Sequence, residues 1–396
     1  MAVTDPRAGA SALPLEPSDE ERMLRESVRG IAQGFGPSYY QQIVREGKPA
    51  TEAWNALGEQ GFLGVHLPEE YGGGGLGVYE LALVVEEASM AGVPLLTALY
   101  SPGVVGTILN AHGTEEQKRE FLPGIASGKT ILSFAITEPD AGTNSHNIST
   151  VARKDGDRYV INGQKYYITG MESADYVMVV ARTGKDEATG RGQLSLFMLD
   201  ADTPGISRDK IPTIMNMPEG SWQVFFDDVE VPAHRMIGPE GKGIAVGFAG
   251  LNVERILTSS ICTGIGRYGL AKGVSYAKER SVWGKPIGTH QSIAHPFAEA
   301  KIHLEAATLM THRASRLYDS GADAGEASNM AKLLGADAGM HALDHAIQTH
   351  GGNGVALEYQ LANYYFIVRM LKIGPVSREM ILNFIAERSL GLPRSY

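Results

Sequence analysis

In LNVERILTSS (251–260), Glu254 and Arg255 are the only charged residues between Lys242 and Arg267, in a stretch otherwise largely apolar and small. Such surroundings suit a desolvated carboxylate that moves a proton, because burial raises its pKa and strengthens it as a base. They equally suit an interior or interface ion pair elsewhere, since adjacent helix residues do not face each other. FAITEPDAGTNS (134–145) leaves a predicted strand for a Gly/Asn/Ser loop whose N–H groups and hydroxyls (Thr137, Thr143) suit a flavin edge and a pyrophosphate. The bland alternative is a polar turn in which Asp140 and Thr143 cap local backbone. YYITG (166–170) offers aromatic rings that either cover one face of an isoalloxazine or sit as core and surface neighbours. Arg280, eleven residues before Gln291, has the planar fork that bonds two pyrophosphate oxygens, or is a solvated helix-terminal charge. QTHGGNG (348–354) ends a helix in a tight glycine turn, an ordinary C-cap when taken alone.

These residues lie on a 396-residue chain, long enough for two or three structural units. Hydrophobic residues make up 43%, enough for a large core, and no apolar run approaches the roughly 20 residues of a membrane-spanning helix. A net charge of −10 argues against nucleic acid as a partner, so any polyanion must be met by a few placed cations. Cys262 is the only cysteine, which excludes an intrachain disulfide and a CxxC metal site. The start, MAVTDPRAGASALPLEPSDEER, has no apolar core and is acidic rather than Arg-rich. Neither a secretory nor a transit signal is read there, and a cytoplasmic, bacterial setting is expected.

The elements that position the candidates change texture twice. Residues 1–128 read as a helical domain, with helical apolar spacing in DEERMLRESVRGIAQGF and YELALVVEEASMAG. Between these, PEEYGGGGLG (69–78) lacks the Lys-Ser/Thr of a phosphate-binding loop and reads as a flexible connection. Residues 129–237 read as an antiparallel sheet or barrel: TILSFAIT, DRYVINGQKYYIT, DYVMVVART, QLSLFMLDA and WQVFFDDVEV are separated by Asp-Gly, Asn-Gly and Pro-Gly breaks. Helices are nearly absent between these strands, so a flavin here would not be held by a βαβ GxGxxG turn. Residues 238–396 read as a four-helix bundle, with SGADAG (320–325) dividing its second long span. The fold class is therefore α+β, arranged as α, then β, then α.

In this order FAITEPDAGT, INGQKYYITG, FFDDVEVP, RSVWGKPIGTHQ and QTHGGNGVALEY resemble the successive signature segments of the acyl-CoA dehydrogenases, across roughly residues 20–390. The resemblance implies a three-domain fold, non-covalent FAD and a homotetramer built as a dimer of dimers. It places Phe134, Ile136, Thr137, Gly142 and Thr143 on the flavin and its phosphate. Tyr167 stands where the family usually has Trp, and Thr169 approaches the flavin N5 edge. Arg280, Gln291, Gln348, Gly351 and Gly352 would reach the FAD of a neighbouring subunit. An acyl-CoA substrate, fatty-acid or lipid metabolism and an electron-transfer flavoprotein as acceptor are likewise implied.

In this family a glutamate removes the α-proton while a hydride leaves the β-carbon for flavin N5. Most members carry it after the GGNG helix, where the present chain has KIGPVSRE and Pro375 at the corresponding position. Isovaleryl-CoA and long-chain acyl-CoA dehydrogenases instead carry it on a bundle helix, where this chain has Glu254. Glu254 is thus assigned as the base, with Asn252 and Arg255 binding substrate and Glu379 as the fallback. Pro375 also lacks the N–H that, with a flavin ribityl hydroxyl, holds the thioester oxygen in the family. A local shift that lets Gly374 or Val376 donate is expected. The competing readings are a same-fold flavin oxidase or monooxygenase, and a non-catalytic subunit that holds flavin or acyl-CoA.

Overall fold

The computed structural model of the protein describes residues 16–187, 190–215 and 217–394, so most of the N-terminal stretch read for targeting signals lies outside it. Ser18 opens α1 (Asp19–Glu46) by accepting the Glu21 N–H at 3.1 Å, and Asp19, Glu20 and Glu21 fill the first turn. A side-chain oxygen cap and early carboxylates both complement the positive helix start. Then follow α2 (Thr51–Glu59), the almost wholly buried α3 (Val78–Met90), α4 (Thr107–His112) and α5 (Glu115–Ala126). The glycine-rich 69–78 segment is not a loose connection. The N–H groups of Gly73, Gly74, Gly75 and Leu76 bond back to carbonyls of residues 64–68, and Gly73 leaves no room for a Cβ beside Leu67 O.

The middle region is an eight-stranded sheet of β1 (Leu132–Ala135), β2 (Val151–Asp155), β3 (Arg158–Thr169), β4 (Tyr176–Lys185), β5 (Gly192–Asp200), β6 (Ile206–Ile211), β7 (Ser221–Pro232) and β8 (Met236–Ile237). Its order is β6-β7-β3-β2-β4-β5-β8, mostly antiparallel as the sequence suggests. Two contacts are parallel: β1 lies alongside β4 from Leu132↔Tyr176 to Ala135↔Val179, and β2 meets β4 at Val151↔Arg182. Strands β2 and β6 carry mostly polar, exposed residues, which is why apolar alternation did not mark them.

The bundle consists of α6 (Gly243–Glu279), α7 (Gln291–Asp319), α8 (Gly325–His350) and α9 (Ala362–Ile373), followed by α10 (Arg378–Phe384). A short hairpin, β9 (Ser281–Val282) with β10 (Lys285–Pro286), joins α6 to α7. Helix α6 also crosses the N-terminal helices closely: a Cβ at Gly250 would stand 2.6 Å from Val104 O. Buried charges bind the same regions. Arg25 on α1 pairs with Glu21, Glu86 and Glu87, each at 3.0 Å. Glu86 on α3 also meets Arg267 of α6 at 3.5 Å. No helix among the described residues is long and apolar enough to cross a membrane.

Candidate active site

The end of β1 and the end of β3 form one shelf. Tyr166 N–H donates to Thr137 O at 2.8 Å, and Ser133 Oγ donates to Thr169 O at 2.9 Å. Beneath them Lys165, fully buried, donates to Ile136 O at 3.0 Å and to Glu138 at 2.9 Å. Glu138 also accepts the N–H groups of Ser149 and Thr150 and the Ser149 hydroxyl. Although burial opposes its charge, Lys165 and these donors hold the Glu138 carboxyl down at about 2, while burial pulls Lys165 down to about 8. The pair locks the 134–138 backbone onto β3.

Above this lock Phe134, Ile136, Thr137 and Thr169 are half-buried, and Gly142 and Thr143 are exposed. Nothing lies within 4 Å of the point where Gly142 would carry a Cβ, so a ligand can approach that backbone closely. Tyr167 is 55% exposed, packs edge-on to Tyr166 at 4.4 Å and has φ of 57°. The register slips between Lys165 and Ile168, which turns the Tyr167 side chain outward. A non-glycine residue held in the left-handed region costs about 1–3 kcal/mol and tends to mark functional sites. At the end of β3, Gly170 allows contact with the N-terminal domain: a Cβ there would stand 1.9 Å from the Tyr100 hydroxyl. An open ring face, two hydroxyls and accessible loop backbone fit the flavin end of FAD.

The remaining cofactor candidates form a second group at one end of the bundle. Arg280 caps α6, Gln291 starts α7, and Gln348, Gly351 and Gly352 close α8. All five are exposed, and His345 ties the two ends together by bonding Ile293 O at 3.1 Å.

Glu254 lies on α6 with part of its surface open. Burial pushes its carboxyl up to about 7, opposed by the charges of Arg255 and Lys332. Arg255 is buried, donates to Asn252 Oδ1 at 2.8 Å and lies 5.9 Å from the Phe248 ring centre. Its Nε has no partner among the described residues. Phe248 also lines a cavity of about 340 Å³ with His146, Lys242, Ile244, Ala245, Leu194, Gly192 and Gly241. That cavity runs from His146 past β5 to the start of α6, where Lys242 supplies a cation.

The 374–379 segment surrounds Pro375. Gly374 N–H is already used, donating to Met370 O at 2.9 Å, whereas Val376 N–H makes no hydrogen bond among the described residues. Glu379 is exposed on α10. Of the two candidate carboxylates, the one on α6 is desolvated and the one on α10 is not.

Besides the Lys165–Glu138 pair, two further polar residues escaped the sequence reading. Lys332 is 1% exposed and donates to Lys372 O at 3.0 Å and Val376 O at 2.6 Å. Its signal was a lone cation on a helix face of small residues, with Ser328, Gly335, Ala336 and Gly339 one or two turns away. Glu219 is 6% exposed, accepts the Thr97 N–H and hydroxyl at 3.1 Å, and leaves Oε2 without a partner among the described residues. Burial pushes it up to about 7. Nothing in PEGSW distinguishes it from a surface turn.

Comparison with known proteins follows the same division of the chain. Profiles for the acyl-CoA dehydrogenase N-terminal, middle and C-terminal domains match residues 18–129, 133–229 and 241–390. Acyl-CoA dehydrogenase FadE12 of Mycobacterium tuberculosis is 48% identical over 381 residues, spanning 96% of this chain and 98% of its own. Butyryl-CoA dehydrogenase from Megasphaera elsdenii superimposes with a TM-score of 0.88 at 28% identity, over 93% of this chain and 98% of that one. The FAD complex of PigA gives a TM-score of 0.90 at 28% identity, over 96% and 100%.

Proposed function

Since the chain belongs to the acyl-CoA dehydrogenase family and is an oxidoreductase, we propose that it dehydrogenates an acyl-CoA thioester to the 2,3-enoyl-CoA with Glu254 as base. The observation that carries this reading is Glu254 itself: a carboxylate on α6, partly open at its surface and pushed up to about 7 by burial. A base near neutral pH combines adequate basicity with a useful ionised fraction. Glu379, exposed to water, lacks that environment.

FAD would be held at its flavin end by Phe134, Ile136, Thr137, Gly142, Thr143, Tyr167 and Thr169, and when bound it supplies the acceptor for the β-hydride. Arg280, Gln291, Gln348, Gly351 and Gly352 form a surface suited to the FAD of a neighbouring copy, which fits a homotetramer. The cavity bounded by Phe248, Lys242 and His146 suits CoA, with Asn252 and the unpartnered Arg255 Nε nearby. The thioester oxygen, which Pro375 cannot serve, has the free Val376 N–H as its protein donor. An electron-transfer flavoprotein is the natural acceptor for a dehydrogenase, and the cytoplasm its setting.

The test is anaerobic addition of straight, branched and cyclic acyl-CoAs to wild type and Glu254→Gln, followed in the visible spectrum. Bleaching of wild type alone, with FAD retained by both, supports base and reaction together. Equal bleaching removes Glu254 from the role. Rapid reoxidation of the bleached enzyme by oxygen moves it to the oxidase class instead.

A further inference from the structure

Lys332 presents an unusual combination. It is 1% exposed, and among the described residues no carboxylate lies within ion-pair distance. Burying an ammonium costs several kcal/mol unless hydrogen bonds or nearby charge offset it. Its acceptors are two backbone carbonyls, Lys372 O in the last turn of α9 and Val376 O just beyond Pro375. The first is at a helix C-terminus, where the dipole favours a cation. Together the two bonds bracket Ile373, Gly374 and Pro375. A second contact from α8 holds the same segment: Asp337 pairs with Lys372 at 2.6 Å and with Arg378. On its other side Lys332 faces α6, where its charge acts on Glu254, Arg255 and Cys262.

We propose that Lys332 is a positioning residue for the reaction, fixing the 372–376 loop so that the free Val376 N–H faces the thioester oxygen and lending positive charge to that side of the site. The inference rests on the assignment of Glu254 and this loop to the reaction centre. Proline removes one donor from the loop, and a loop without a committed N–H at its apex needs another anchor. Lys332 provides it through carbonyls instead. Its third proton is free of any partner among the described residues. The charge favours ionised Glu254 and also the negative charge that builds on the thioester oxygen as the α-proton leaves. The charges acting on Glu254 are Arg255 from its own helix and Lys332 from α8; the groups acting on Lys332 are Cys262, Glu254 and Arg255 from α6 and Asp337 from its own helix, itself paired with Lys372 in the last turn of α9.

The test uses holoenzyme with Lys332→Met, which removes anchor and charge, and Lys332→Gln, which keeps a donor but drops the charge. Hydrogen exchange of residues 372–380 reads the anchor without any substrate. The pH dependence of anaerobic flavin bleaching by octanoyl-CoA, or by the best acyl-CoA of the panel above, reads the charge. Lys332→Met is expected to exchange this segment at least tenfold faster. Both variants are expected to move the acid limb of bleaching upward by about one pH unit, as loss of a cation near a carboxylate requires. Unchanged exchange in Lys332→Met overturns the anchor, and an unmoved acid limb in Lys332→Gln overturns the charge. If Lys332→Met does not fold, Lys332→Gln still decides the second. If Glu254→Gln bleaches like wild type, the base assignment fails, while the exchange result continues to judge the anchor on its own.

Discussion

Glu254 and Glu219 are both carboxylates raised by burial to about 7, yet they predict opposite experiments. With Glu254 as the proposed base, its ionisation would govern rate: bleaching should increase as pH rises through about 7 and level off above it. Glu254→Gln should cost roughly 10²–10⁴-fold, the usual worth of general base catalysis, measured as the rate of flavin reduction. Glu219 is sealed between Thr97 and the 217–220 turn, so its ionisation governs stability. A folded pKa above the unfolded one means that the native state holds the extra proton. The stability this contributes is fully present below about 4.5 and is lost as pH rises through about 7. Glu219→Gln should therefore stabilise the protein at pH 8 by on the order of 3 kcal/mol and change little at pH 4.5, as seen in denaturant titrations at both pH values. A variant destabilised equally at both would show that Glu219 is held ionised.

At the scale of elements, the shelf depends on joining β1 to β3. Hydrogen bonds between their ends are few, and the buried Lys165–Glu138 pair supplies the rest. Lys165→Met would leave Glu138 buried without its cation, a loss typically worth about 3–5 kcal/mol. Because the 134–138 backbone would then separate from β3, FAD should also elute from the variant on gel filtration while wild type stays yellow. Retention of FAD with unchanged denaturation midpoint would show that the strand pairing suffices. The α6 crossing is equally specific. Gly250→Val must displace the Val104 backbone, so it should lower the melting temperature and, by shifting α6, slow bleaching.

For the whole molecule, buried charge joins elements that apolar contact also holds. Arg25, Glu86, Glu87 and Arg267 tie α1, α3 and α6 into one interior. The outer surface has a different character. Ile302 and Leu309 on α7 are 65% and 59% exposed, seven residues apart on one face, and Trp283 of the hairpin is 89% exposed. Apolar side chains so exposed, with Trp283 three residues past Arg280, fit a surface covered by further copies. Sedimentation should give four times the 42.5 kDa chain. Ile302→Glu with Leu309→Glu should lower the assembly state and FAD occupancy together. A monomeric wild type with full FAD would end the proposal that a neighbour completes the site.

By itself the sequence determined the α, β, α order, because periodicity, turn residues and helix breaks act over a few residues; the four segments that carry the cofactor candidates came from the resemblance to the family. It also singled out Glu254, since two charges in an otherwise uncharged stretch are visible without a fold. Tertiary structure alone decided what burial does to each charge. Glu138 meets Lys165 from 27 residues away, and Lys332 meets Val376 from 44. Glu219 is enclosed by Thr97 across 122 residues. Glu379, the same residue type as Glu254, stays in water on α10. Whether the 69–78 glycines swing freely or pack was likewise decided by carbonyls of residues 64–68. The physical reason is common to all of them: solvation and pairing depend on which distant groups arrive, and local pattern carries no record of that.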